Sequence, residues 1–102
     1  MKKLKVMADF SSSGIWDGET GHMIDHEDLS LDGGLIDEFE KWIYYYSESY
    51  KSDYSTLKEG KAEKLNKWGR ELAQKLKDKL GNGYEITYQG EDENGLLDLI
   101  TV

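Results

Sequence analysis

The sequence predicts an α+β fold: a small two-layer sandwich with the order strand-helix-helix-strand-strand, its two helices packed on one face of a two- or three-stranded sheet. Three observations predict it. Apolar and polar residues alternate near both ends of the chain, apolar residues recur at spacings of three and four through two central segments, and no internal repeat or low-complexity tract divides these parts. At 102 residues the chain reads as a single domain, 1–102, long enough to bury a core without staples.

The opening run Lys3-Leu4-Lys5-Val6-Met7-Ala8 sets Leu4, Val6 and Ala8 on one side and Lys3, Lys5 and Met7 on the other, which is a strand with one buried face. From Phe10 to Ser30 the chain is rich in Ser, Gly and Asp, and Gly14, Gly18 and Gly21 break any period. A connection of that length in a small domain is usually functional or poorly ordered.

Asp32 then precedes Leu35, Ile36, Phe39, Trp42, Ile43, Tyr46 and Tyr50, the apolar stripe of an amphipathic helix capped near Asp32. Asp37, Glu38 and Glu40 fall toward its positive end. Burying this stripe is worth on the order of 10 kcal/mol before chain entropy is set against it. After a polar joint from Ser52 to Thr56, a second helix is marked by Leu57, Leu65, Trp68, Leu72, Ala73, Leu76 and Leu80, and it stops at Gly81. Gly69 lies on that stripe, either to admit another backbone or as tolerated strain of about 1 kcal/mol. Tyr84, Ile86 and Tyr88 alternate with polar neighbours as a strand, Gly90 to Gly95 carries a turn signal, and Leu96 to Val102 reads as a hairpin partner with imperfect alternation.

Charge narrows the function classes. The chain has 13 Lys and Arg against 21 Asp and Glu, a net charge of −8, and so lacks the cationic surface that nucleic-acid affinity requires. Cysteine is absent, which removes disulfides and thiolate metal sites. No apolar run suits a signal peptide or a membrane span, so the expected location is the cytoplasm. The charge is also uneven along the chain. Between Lys5 and Lys41 ten carboxylates and no base give −10, whereas Lys51 to Leu80 carries +4 and Gly81 to Val102 carries −5.

Candidate catalytic groups are few. His22 and His26 stand four apart amid Asp25, Glu27 and Asp28, but no metal motif is matched and the segment is not helical in pattern, so an exposed acidic loop with two ordinary histidines is the better account. Asp17-Gly18-Glu19-Thr20-Gly21 lacks the spaced ligands of a calcium loop. Ser11, Ser12 and Ser13 form no nucleophile elbow, and the glycines form no phosphate-binding loop. No cofactor or metal is expected, and an enzyme is not.

The aromatics carry more. In Trp42-Ile43-Tyr44-Tyr45-Tyr46, helical spacing sends Trp42, Ile43 and Tyr46 inward and turns Tyr44 and Tyr45 partly outward. Outward aromatics among charges suit a protein-binding surface, although the same tyrosines also suit a role in covering the helix flank, and Trp16 suits a sheet-edge plug.

The run Met7-Ala8-Asp9-Phe10-Ser11-Ser12-Ser13-Gly14-Ile15-Trp16-Asp17, then Asp28-Leu29-Ser30-Leu31 and Leu35-Ile36 to Trp42, resembles small bacterial immunity proteins of polymorphic toxin and contact-dependent growth inhibition systems. The pattern spans Leu4 to about Tyr88 and leaves out the tail from Gly90. What the resemblance implies is a cytoplasmic protein that binds and neutralises a cognate toxin domain, often a nuclease, with no residue role carried over. The residues themselves give the expected contacts: Trp16, Asp17, Glu19, Asp25, Glu27 and Asp28 in the acidic stretch, with Tyr44 and Tyr45 as packing anchors, all facing a basic partner. The alternative is a small acidic adaptor or regulatory module for a partner other than a toxin.

Overall fold

In the computed structural model, which describes residues 1–102, the first strand β1 (Lys2–Val6) buries Leu4 and Val6 and leaves Lys3 exposed, as the alternation predicts. Ala8 is buried just beyond its end. The Ser/Gly-rich connection contains a short strand, β2 (Ile15–Asp17), and a 3-10 turn at His26–Leu29. The helices are α1 (Gly33–Ser49) and α2 (Ala62–Leu80), followed by the hairpin β3 (Tyr84–Asp92) and β4 (Gly95–Thr101).

These strands form one sheet in the order β2-β1-β3-β4. The central pair β1 and β3 is parallel, in register from Lys2 opposite Tyr84 to Val6 opposite Tyr88, and both edge strands are antiparallel to their neighbours. The sheet thus has four strands rather than two or three. β2 is the addition: Ile15 is a fully buried residue opposite Val6, held there by pairing rather than by any period a three-residue strand displays.

Each helix begins and ends for a local reason. The Asp32 carboxylate accepts the Leu35 N–H at 2.8 Å and caps α1. Gly81, with φ of +77°, closes α2 while its N–H bonds the Lys77 carbonyl. Leu57 is buried but lies before α2, in the joint, where it bridges Tyr50. Helix α2 therefore starts later than the apolar spacing suggests.

The core lies between the helices and the inner face of β1 and β3. Trp42 is completely buried and its indole N–H donates to the Leu65 carbonyl at 3.0 Å, tying α1 to the first turn of α2. Gly69 faces this tryptophan. A Cβ there would sit 2.4 Å from the Tyr88 ring and 2.6 Å from the Trp42 ring, so its role is to admit two aromatic rings rather than another backbone.

The β3–β4 turn is tighter than the Gly90 to Gly95 signal suggests, because β3 continues to Asp92 and pairs it with Gly95. β4 is an edge strand. Leu96, Leu97, Leu99 and Ile100 are all exposed, which explains the imperfect alternation: neither face of this strand is buried. No helix is long and apolar enough to cross a membrane.

Candidate partner-binding surface

The acidic stretch is built in three pieces. Asp17 ends β2 and accepts the Glu19 N–H at 2.8 Å and the Thr20 N–H at 2.9 Å, making a tight turn. Those donors, Thr20 foremost, hold the Asp17 carboxyl below the ordinary aspartate range. Gly18 lets the turn lie against β1, its N–H donating to the Lys3 carbonyl at 2.8 Å. Glu19 is exposed at the turn tip.

The second piece is the 3-10 turn, which Asp25 immediately precedes and which contains Glu27 and Asp28, and all three are exposed. This turn is fastened rather than loose. The His26 ring nitrogen Nε2 lies 2.9 Å from the Ser13 carbonyl oxygen, and the imidazole packs 5.7 Å from the Phe39 ring. Ile24 N–H bonds the Ile15 carbonyl, and Met23 bridges Trp16. His26 is a pin between the connection and the core, and His22 is exposed.

The third piece, the N-terminal half of α1, loses most of its apparent charge to nearby lysines. Lys41 pairs with Asp37 at 2.9 Å, Lys75 with Glu38 at 2.8 Å and Lys79 with Asp32 at 3.7 Å. The last two bases come from α2, so the fold brings the basic helix against the acidic one. Asp17, Glu19, Asp25, Glu27 and Asp28 take part in no ion pair. Of the seven unpaired carboxylates in the −10 stretch, these five lie together from the end of β2 to the 3-10 turn, while Asp9 and Glu40 stand apart.

The aromatic candidates separate. Tyr44 is 68% exposed on α1. Tyr45 leans on Trp68 of α2, ring centroids 6.0 Å apart, with the Lys64 ammonium 4.9 Å above its ring. Trp16 lies on the sheet face away from the helices, because it pairs with Lys5 while Leu4 and Val6 point inward. Its indole N–H donates to the Met7 carbonyl at 2.9 Å, which fixes it along the β1–β2 edge. The five carboxylates thus share one connection, whereas Trp16, Tyr44 and Tyr45 belong to two other faces.

One buried acidic residue escaped the pattern. Glu91, in the segment read as a turn, is 8% exposed at the end of β3. The Asn66 side chain of α2 holds its backbone from both sides: the amide N–H donates to the Glu91 carbonyl at 2.9 Å, and the amide oxygen accepts the Glu91 N–H at 3.2 Å and the Tyr88 hydroxyl at 2.8 Å. The pairing of β3 and β4 shifts register between Gln89 and Glu91, and Gly90 makes room, since a Cβ there would lie 2.4 Å from the Asn66 oxygen. The Glu91 carboxylate accepts hydrogen bonds from the Tyr46 hydroxyl at 3.2 Å and from the Tyr50 hydroxyl. Only the Gly90 break in the alternation hinted at this.

A family model described as Serratia CdiI immunity protein-like matches residues 2–91. The chain belongs to this family. It is therefore an immunity protein of the contact-dependent growth inhibition type, whose role is consistent with neutralising a toxin. The family match takes in β1 through Glu91 and stops before β4, close to where the sequence resemblance also ends. No curated protein matches the sequence significantly. The CdiI-like core thus comprises the helix pair, the parallel strands, the acidic connection and the clamped end of β3.

Proposed function

We propose that this CdiI-like chain is a non-catalytic, stoichiometric inhibitor that binds a basic cognate toxin domain, a nuclease, through the carboxylates between β2 and α1. The observation that carries this reading is that Asp17, Glu19, Asp25, Glu27 and Asp28 cluster without an ion pair within the chain, while Asp32, Asp37 and Glu38 of the same acidic stretch are paired to lysines. A nuclease cleft must attract phosphates, so a carboxylate-rich surface fits the same field and speeds encounter. The turn at Asp17 and the pin at His26 hold these groups in place before binding, which lowers the ordering cost of association. Tyr44, exposed and with only two side-chain torsions to freeze, supplies apolar contact on α1.

Co-expression with the toxin domain encoded immediately upstream tests the reading. The expected result is growth rescue together with a complex of one inhibitor to one toxin on size-exclusion chromatography. Absence of both rescue and complex overturns it.

A further inference from the structure

Where the parallel strands β1 and β3 end, a cavity of about 210 Å³ opens between them, lined by Met7, Ala8, Asp9, Tyr46, Glu91 and Leu96. It is smaller than the roughly 300 Å³ at which ordinary cofactor and substrate pockets begin. Its walls combine apolar surface with two carboxylates and no base. Neither Asp9 nor Glu91 joins an ion pair. Of its roughly four acceptor positions, the Glu91 carboxylate uses two on the Tyr46 and Tyr50 hydroxyls.

Glu91 is 8% exposed as a residue, and a largely buried carboxylate with hydroxyl partners but no cation keeps capacity for a further, charged donor. The chain fixes it by the Asn66 clamp, the register shift and Gly90, all of which act on the backbone of that one residue. Beside the cavity, Phe10 packs edge-on against Tyr50 and Tyr54, with ring centroids 4.9 and 5.6 Å away, and both Phe10 and Tyr54 are exposed. Aromatic faces beside a buried anion attract a desolvated cation. A long aliphatic stem bearing a charged head matches these walls: methylenes against Met7, Ala8 and Leu96, and the head at Glu91 and Asp9.

We infer that this cavity is a socket for a lysine or arginine side chain presented by a protein partner, with Glu91 as the principal receptor. Taking that partner to be the toxin rests on the function proposed above. Two measurements separate the socket from that function. First, the chain is titrated with n-butylammonium and n-propylguanidinium, stand-ins for the two side chains, while backbone amide resonances are followed. Saturable shifts confined to Met7, Ala8, Asp9, Glu91 and Leu96 are expected, and they are lost in Glu91→Gln and reduced in Asp9→Asn. Second, affinity for the toxin domain is compared between the wild type and both variants. Glu91→Gln is expected to weaken it about 30-fold or more, through faster dissociation, because the inserted cation loses its buried partner. Should Glu91→Gln fail to fold, Asp9→Asn carries both comparisons. Absence of saturable shifts with either cation overturns the socket, as does unchanged toxin affinity in the variants. Saturable shifts in a chain that binds no toxin uphold the socket and overturn the toxin reading alone.

Discussion

The helix-covered centre and the connection between β2 and α1 solve opposite problems. In the centre Trp42, Phe39, Leu65 and Ile86 are buried to 1% exposure or less, and Asn66, a polar side chain that spans the layers, has its amide bonded to Tyr88 and to both backbone polar groups of Glu91. In the connection Glu19, Asp25, Glu27 and Asp28 face water, and the chain is held by a few specific fasteners: the Asp17 turn, the His26 pin and the Trp16 indole. The centre holds the fold together, and the function proposed above assigns recognition to the connection. Truncations in the apolar centre should unfold the protein, and charge changes in the connection should alter partner binding without unfolding it.

The most severe break of this division is Trp42→Ala. Removing a completely buried indole and its bond to Leu65 should cost about 3–5 kcal/mol, read as a lowered urea midpoint with an unchanged denaturant slope. Asn66→Ala comes next at about 3 kcal/mol, because it strands the Tyr88 hydroxyl and two backbone groups of Glu91 away from water. Hydrogen exchange should show the loss concentrated at the end of β3. If instead the whole molecule loosens evenly, the clamp is not local and the division between regions is weaker than described.

Alkaline pH gives a smaller and graded test. Burial raises the phenol pKa of Tyr46, Tyr50 and Tyr88, and the nearby Glu91 charge adds to the effect. In the unfolded chain these phenols ionise near pH 10. Their contribution to stability is therefore complete below about pH 10 and is lost as pH rises from there through the higher folded values. Urea midpoints should hold steady from neutral pH to about 9 and fall above 10, and Tyr88→Phe should flatten that fall.

Much of this division was legible in the sequence, and the illegible part has physical causes. The stripes from Leu35 to Tyr46 and from Leu65 to Leu80 announce helices because one face is buried over several turns, and Asp32 and Gly81 mark their ends by local chemistry. β2 was hidden because three residues between serines and glycines have no period, and its pairing is dictated by the free edge of β1. The charge cancellation by Lys75 and Lys79 was hidden because it joins residues brought together only when α2 packs on α1. Glu91 was hidden for a similar reason: its burial depends on Asn66, 25 residues earlier, and on the space left by Gly90. By contrast, the run of exposed carboxylates was plain from composition, because local turn chemistry and solvation do not need distant partners.

Replacing Asp25, Glu27 and Asp28 together by Lys alters only exposed groups with no ion pair, so stability should stay within about 0.5 kcal/mol of the wild type. The decisive measurement is the association rate of this variant and of the wild type with the toxin domain, by stopped flow across a series of salt concentrations. The wild-type rate is expected to fall steeply with added salt, and the variant to associate at least about 10-fold more slowly at low salt with little salt dependence left. Equal rates for the two proteins at low salt would contradict it and move the toxin-binding surface away from the acidic connection.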